Sequence, residues 1–239
     1  MYVGLTGTDG ERQQGLLDRF LAPSGVQRVA ALAAQRAVDT GRIIDGIALY
    51  DACNAPGRVL RLLCDELARQ LPSADGERAR VVQLAWDVYA KYVRNDYAAL
   101  SPADRPLASA FEQMLRLIEF FDCVRAADWP AALKSVEEQE LIPLRLDDVA
   151  AAAALFRSLD NCVRVNFGDY LLATMRTLAE LSEEAHAAVQ NGALNSGVAA
   201  EQIGRLREAA RALVTFAGMI DFNLPGDIHA RLVRYETAF

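Results

Sequence analysis

Apolar residues recur at helical spacing along almost the whole chain. Val26, Val29, Ala30, Ala33 and Ala37 fall on one face, and so do Leu60, Leu63, Leu67 and Leu71. The pattern returns in Val81, Ala85, Val88, Tyr89 and Tyr92, then in Leu107, Phe111, Met114, Leu115, Ile118 and Phe121. Further on come Phe167, Tyr170, Leu171, Thr174, Leu178 and Leu181, and finally Ile203, Leu206, Ala210, Leu213, Val214 and Ala217. No stretch alternates with the period of two that a half-buried strand requires, so the pattern predicts roughly ten helices and an all-α fold.

Breakers fall between these runs in short clusters: Pro23-Ser24-Gly25, Pro72 to Gly76, Ser101 to Pro106, Asn191-Gly192, Asn195 to Gly197, and Pro225-Gly226. Connections this short place consecutive helices antiparallel. Asp147 and Asp227 precede apolar-periodic residues and suit N-caps, where a carboxylate accepts from amides that the helix leaves unpaired. Two hairpins echo each other. Gly41-Arg42-Ile43-Ile44 opens one second helix and Ala127-Asp128-Trp129 opens another, with Gly41 and Ala132 expected at close helix contacts. No fixed period runs along the chain, so the expected fold is an irregular α-solenoid of stacked antiparallel helical hairpins. No cluster is long enough for an interdomain linker, so residues 1–239 are expected to form a single solenoid segment. The glycine-rich, aperiodic residues 1–15 form its irregular or frayed N-terminal edge.

Hydrophobic residues make up 52% of the 239, enough for a continuous core. The charge balance of 25 basic against 32 acidic residues, net −7, repels phosphate backbones and anionic headgroups, which argues against direct nucleic-acid binding. Lys91 and Lys134 are the only lysines. Cys53, Cys64, Cys123 and Cys162 lie far apart inside apolar helical patterns and read as reduced structural thiols. No segment has the roughly 18 apolar residues of a membrane span, and Met1 to Phe20 lacks the order of a signal peptide, so a soluble protein on the nucleocytoplasmic side is expected.

Candidate chemistry is sparse. His186 and His229 are the only histidines, and neither has a companion at metal-ligand spacing. Gly4, Gly7 and Gly10 are not followed by the Gly-Lys-Ser/Thr of a phosphate loop. The acidic groups Glu137, Glu138 and Glu140, Asp147 and Asp148, and Glu183 and Glu184 fall on polar faces or helix ends, where a solvated carboxylate is the ordinary state. No nucleophile, metal or cofactor site is expected, and no enzyme. What remains is surface: Phe216, Met219, Ile220 and Phe222 bunch at a helix end beside Gly218. They either form a groove for a partner's apolar side chains or close the last core layer against Leu232 and Tyr235.

The blocks Leu213 to Ile220 and Gly226 to Arg234, together with Leu141-Ile142-Pro143-Leu144, Leu171 to Met175 and Leu49-Tyr50-Asp51, resemble one family. The resemblance extends back to Gly10 and Phe20. The family is the nucleoporin-interacting component (Nic) family of inner-ring scaffold nucleoporins. Its members carry an N-terminal coiled-coil region, a short docking helix and a long α-solenoid, and this chain is similar to the C-terminal part of that solenoid. The resemblance implies a structural subunit of the nuclear pore complex at the nuclear envelope, supporting transport of protein and mRNA. It further implies that the solenoid receives a short linear motif from a linker nucleoporin of the inner ring, placed at Phe216, Met219, Ile220 and Phe222, and contacts other inner-ring nucleoporins. A helical-repeat adaptor outside the pore, in vesicle coats or degradation, is the alternative.

Overall fold

The computed structural model describes residues 22–71, 76–94, 100–192, 195–220, 224 and 226–237. The expected N-terminal edge, residues 1–15, lies outside them. The described residues form eleven α-helices and a short 3-10 turn, with no strand among them. In order they are α1 Pro23–Asp39, α2 Ile43–Ala52, α3 Pro56–Gln70, α4 Gly76–Tyr92, α5 Arg105–Arg125 and α6 Trp129–Gln139. A 3-10 turn at Leu146–Asp148 leads into α7 Val149–Ser158, α8 Asn161–Val165, α9 Phe167–Gln190, α10 Ser196–Met219 and α11 Ile228–Glu236. The all-α solenoid expected from the periodicity is the fold observed. Internal contacts group the chain into two compact units, Met1–Glu112 and Gln113–Phe239, and the division falls inside α5 rather than in a linker.

In the first unit each helix packs on the next: α1 on α2, α2 on α3, α3 on α4. One backbone device turns the chain between them. At the end of α1, Gly41 is left-handed (φ 79°) and the Arg42 amide donates back five residues to the Ala37 carbonyl at 2.8 Å. At the end of α2, Asn54 is left-handed (φ 56°) and the Ala55 amide donates to the Tyr50 carbonyl at 3.0 Å. The same closure recurs in the second unit's α5–α6 hairpin, where Ala127 has φ 54° and the Asp128 amide donates to the Cys123 carbonyl at 3.0 Å. Each closure satisfies carbonyls that the helix end leaves unpaired and reverses the chain within three residues. Proline begins α1 and α3 and is the second residue of α6, positions where its missing amide hydrogen costs nothing. Pro23-Ser24-Gly25, expected as a break, is for that reason the first turn of α1.

The motif Leu49-Tyr50-Asp51 ties three of these helices together. The Tyr50 hydroxyl donates to Gln35 Oε1 on α1 at 3.0 Å. The Asp51 carboxylate accepts from Lys91 Nζ of α4 at 2.8 Å and from the Tyr92 hydroxyl. Burial, then the hydrogen bond to Asp51 and its charge, push the Tyr92 phenol well above its usual value, so it remains a donor.

The periodic faces of α3, α5 and α9 are buried as the sequence predicts, with Leu60, Leu63, Leu67, Phe111, Met114, Phe167, Tyr170 and Leu171 fully enclosed. Helix α1 differs. Its inward residues are Val26, Ala30, Ala34 and Ala37, while Val29 is 42% exposed and Ala33 faces solvent. In an alanine-rich helix neighbouring stripes have almost the same apolarity, and the pattern does not choose between them. Capping also departs from expectation. Asp148, not Asp147, holds the N-cap position of α7, and its backbone and that of Asp227 are helical (ψ −7° and −8°), so neither side chain caps. The side chains that cap are those with more extended backbones: Asp128 to the Ala131 amide at 3.1 Å, Asp160 to Cys162 at 3.1 Å and Asn195 to Gly197 at 2.9 Å.

In the second unit α9 is central, packing on α6, α8, α10 and α11. Aromatic rings join the helices around it. Phe120 of α5 meets Tyr170 edge-on at 4.9 Å, Phe156 of α7 meets Phe167 at 4.7 Å, and Phe216 of α10 lies 5.9 Å from Phe167. Buried hydroxyls are satisfied within the helix, Thr174 donating to the Tyr170 carbonyl and Thr177 to that of Ala173, both at 2.9 Å.

Close helix approach falls on Gly46, not Gly41. Gly41 is exposed, and a Cβ there would meet nothing within 4 Å, so its role is its left-handed backbone. A Cβ on Gly46 of α2 would stand 2.6 Å from Val38 Cγ2 of α1. Gly46→Leu should therefore lower stability by about 1–3 kcal/mol through overpacking. Gly204→Ala in α10, where a Cβ meets nothing within 4 Å, should raise it by up to about 1 kcal/mol through helix propensity. Urea denaturation of the two variants reads both signs.

Ala132, fully buried in α6, is where the sequence placed a tight contact. Ala132→Leu should cost about 1–3 kcal/mol, and an unchanged melting midpoint would contradict that packing.

Candidate protein-interaction surface

Among the described residues no group of three or more His, Cys, Asp or Glu side chains could hold a metal ion. His186 Nδ1 lies 2.7 Å from the Ser182 carbonyl one turn back, which occupies it structurally, and His229 is exposed on α11. None of the four cysteines is disulfide-bonded. Burial pushes the Cys53 and Cys123 thiols up, which disfavours the nucleophilic thiolate. Burial likewise raises the Glu119 carboxyl, against the lowering effect of Arg116, in a polar cleft that it shares with Ser135, Glu138 and Gln139. No described helix is long and apolar enough to cross a membrane.

The four residues singled out at the end of α10 have different surroundings. Phe216 is fully buried, its ring 6.3 Å from Phe156 and 5.9 Å from Phe167. Ile220 is 7% exposed, at the C-cap, with its amide bonded to the Phe216 carbonyl at 3.1 Å. Met219 is 46% exposed. Phe222 lies outside the described residues. Leu232, fully buried in α11, and Leu224 close the same end. Helical geometry sets the divergence: from Phe216, Ile220 is rotated by about 40° one way and Met219 by about 60° the other, which takes Met219 past the edge of the covered face. Of the described three, Met219 alone offers side-chain surface to a partner.

Concave surface lies around Leu141 to Leu144, a segment whose sequence carries the family resemblance but was assigned no binding role. This strap leaves α6 through Glu140, left-handed at φ 52°, and its Leu141, Ile142 and Pro143 are buried while Leu144 is half-buried. Its two flanks are open clefts. The signal available in the sequence was a proline flanked by leucine and isoleucine between two helices, too apolar for an exposed connection.

A stack of amphipathic helices joined by short turns defines the helical-repeat class of fold. The family model described as Nup93/Nic96 matches residues 1–231, and the chain belongs to that family. It is 31% identical to nuclear pore complex protein Nup93 of Xenopus tropicalis over 242 residues, covering 99% of this chain and 28% of that protein. It is 23% identical to nucleoporin NIC96 of Saccharomyces cerevisiae, covering 99% of this chain and 30% of that one. The chain thus spans under a third of the length of these curated relatives. The crystal structure of Chaetomium thermophilum Nic96 SOL superposes with a TM-score of 0.85 over 98% of this chain and 38% of that chain, at 19% identity, a likeness of fold. The family match points away from a vesicle-coat or degradation adaptor.

The burial contrast at the end of α10 is measurable. Phe216→Ala should cost about 3–5 kcal/mol in urea denaturation, since it empties an aromatic site in the core. Met219→Ala should change stability by less than about 1 kcal/mol. Equal losses in the two variants would place Met219 in the core as well.

Proposed function

We propose that this chain is a non-enzymatic scaffold segment of the nuclear pore complex inner ring, located at the nuclear envelope, where its helices bind other nucleoporins and support nucleocytoplasmic transport. The observation that carries the reading is the Nup93/Nic96 family match over residues 1–231, joined to relatives whose names place them in the pore. An all-helical stack suits the role, because each added hairpin extends the surface without disturbing distant ones. In this reading residues 1–239 act as one solenoid segment, with no catalytic, metal or cofactor site.

The partner follows from the same reading. A linker nucleoporin of the inner ring presents a short linear motif to the end of α10 and the Phe222 that follows it in sequence, where Met219 offers contact and Phe216 and Ile220 are buried beneath. A disordered ligand loses conformational freedom on binding, so micromolar affinity is expected, on the order of −8 kcal/mol.

A fluorescent fusion of the chain, expressed in cells, should rim the nuclear envelope, and a diffuse cytoplasmic signal would overturn the pore reading. Calorimetry with the linker segment should show weaker binding in Met219→Ala and Phe222→Ala proteins that keep their melting midpoint. Wild-type affinity in both would move the motif elsewhere and leave the scaffold reading standing.

A further inference from the structure

Two clefts of the second unit adjoin and make a two-part groove. The first, about 460 Å³, lies between the end of α6, the strap from Glu140 to Arg145 and the first turns of α7, with Val136, Ile142, Ala152 and Leu155 among its lining. The second, about 380 Å³, lies between α6, α9 and α10 and is lined by Leu133, Leu178, Leu206 and Ala209. Glu137, Leu144 and Arg145 line both and form the wall that the two clefts share. Each volume is in the range that holds one or two large side chains of a ligand. Leu155 is 39% exposed here, and Leu146, on the 3-10 turn beside Arg145, is 47% exposed.

The charges are not symmetrical along the groove. In the first cleft Glu137, Glu140 and Asp148 face a single Arg145, and all four are exposed. The last carbonyls of α6, at Glu140, add the partial negative charge of a helix C-terminus. The N-terminus of α7 would bring the opposite partial charge, and Asp148 at its N-cap offsets it. In the second cleft Glu137 and Glu208 stand against Arg145 and Arg205, which leaves it balanced. The groove therefore has an acidic end and a neutral end, with apolar floor along both.

We propose that this groove seats a short linear segment of another protein, with apolar side chains in the two clefts and a lysine or arginine over the acidic end between α6 and α7. A segment of this kind gains apolar burial in both clefts and a favourable charge at one end, and the charge fixes its direction. An acidic segment is disfavoured by the three carboxylates. The proposal goes beyond the pore reading and needs nothing from it, since the groove is complete within one unit of this chain.

The probe is a phage-displayed library of random twelve-residue peptides selected on the purified full chain, with recovered peptides synthesised and titrated by fluorescence anisotropy. The expected peptides carry spaced leucine, isoleucine or phenylalanine with lysine or arginine at one end. They should lose about tenfold or more in affinity for Leu155→Glu and for the Glu137→Lys, Asp148→Lys double variant, and their binding should weaken with salt. The double variant should in turn favour the same peptides with their basic residues changed to glutamate. Should Leu155→Glu lower the melting midpoint, the double variant, altered only at exposed positions, decides. No enrichment over an unrelated control protein, selection of acidic peptides, or unchanged affinity in the double variant would overturn the proposal. Because the assay uses the isolated chain, its failure is independent of whether the chain rims the nuclear envelope.

Discussion

The fold depends on one requirement: each helix has an apolar stripe that must be covered by another helix, and the short turns must bring the next helix back to cover it. A helix of this length is marginal in water, so tertiary cover decides whether it forms. The left-handed residue at the end of α1, α2 and α5, with its five-residue hydrogen bond, imposes the return. At Gly41 this conformation is free of steric cost, and at Ala127 it costs roughly 1 kcal/mol, which the packing of the α5–α6 hairpin must exceed. Ala127 being retained in that conformation shows how strongly the hairpin packing controls the turn.

Around that constraint the two units solve the same problem with different materials. The first uses small residues and a polar tie. Alanines on α1 and Gly46 on α2 let the helices approach, and the Asp51 carboxylate joins α2 to Lys91 and Tyr92 of α4. Lys91 and Asp51 are 48% and 33% exposed, so water screens their attraction, and the tie sets geometry more than it adds stability. The second unit uses bulk, with Phe120, Phe156, Phe167, Tyr170 and Phe216 meeting mostly edge to face around α9. Large rings fill the space between longer helices, and the Tyr170 hydroxyl reaches Gln139 Oε1 of α6 at 3.5 Å.

Interaction surface arises where this stacking is interrupted. The strap Leu141 to Leu144 inserts a non-helical segment between α6 and α7, with Leu141, Ile142 and Pro143 buried and Leu144 half-buried. Clefts open on its two flanks, and the acidic rim of the first comes from residues that end α6 and begin α7. By contrast, the end of α10 is sealed by Phe216, Ile220 and Leu232, with Met219 left outside.

The sequence alone determined the helical class, most of the buried stripes and the family, because these depend on local periodicity and on residues close together in the chain. Leu60, Leu63, Leu67 and Leu71 can face only one way on a helix, and all four are buried. It was silent wherever neighbouring residues had similar chemistry but different direction. Ala33 and Ala34 are alike in composition, yet Ala34 alone is buried. Phe216 and Met219 belong to one apolar bunch and stand only about 60° apart around the helix, yet the packing of α7 and α9 covers Phe216 and leaves Met219 exposed. The caps at Asp128 and Asp160, the contact at Gly46 and the groove beside Leu144 likewise needed the tertiary structure, since each depends on backbone angles or on helices distant in sequence.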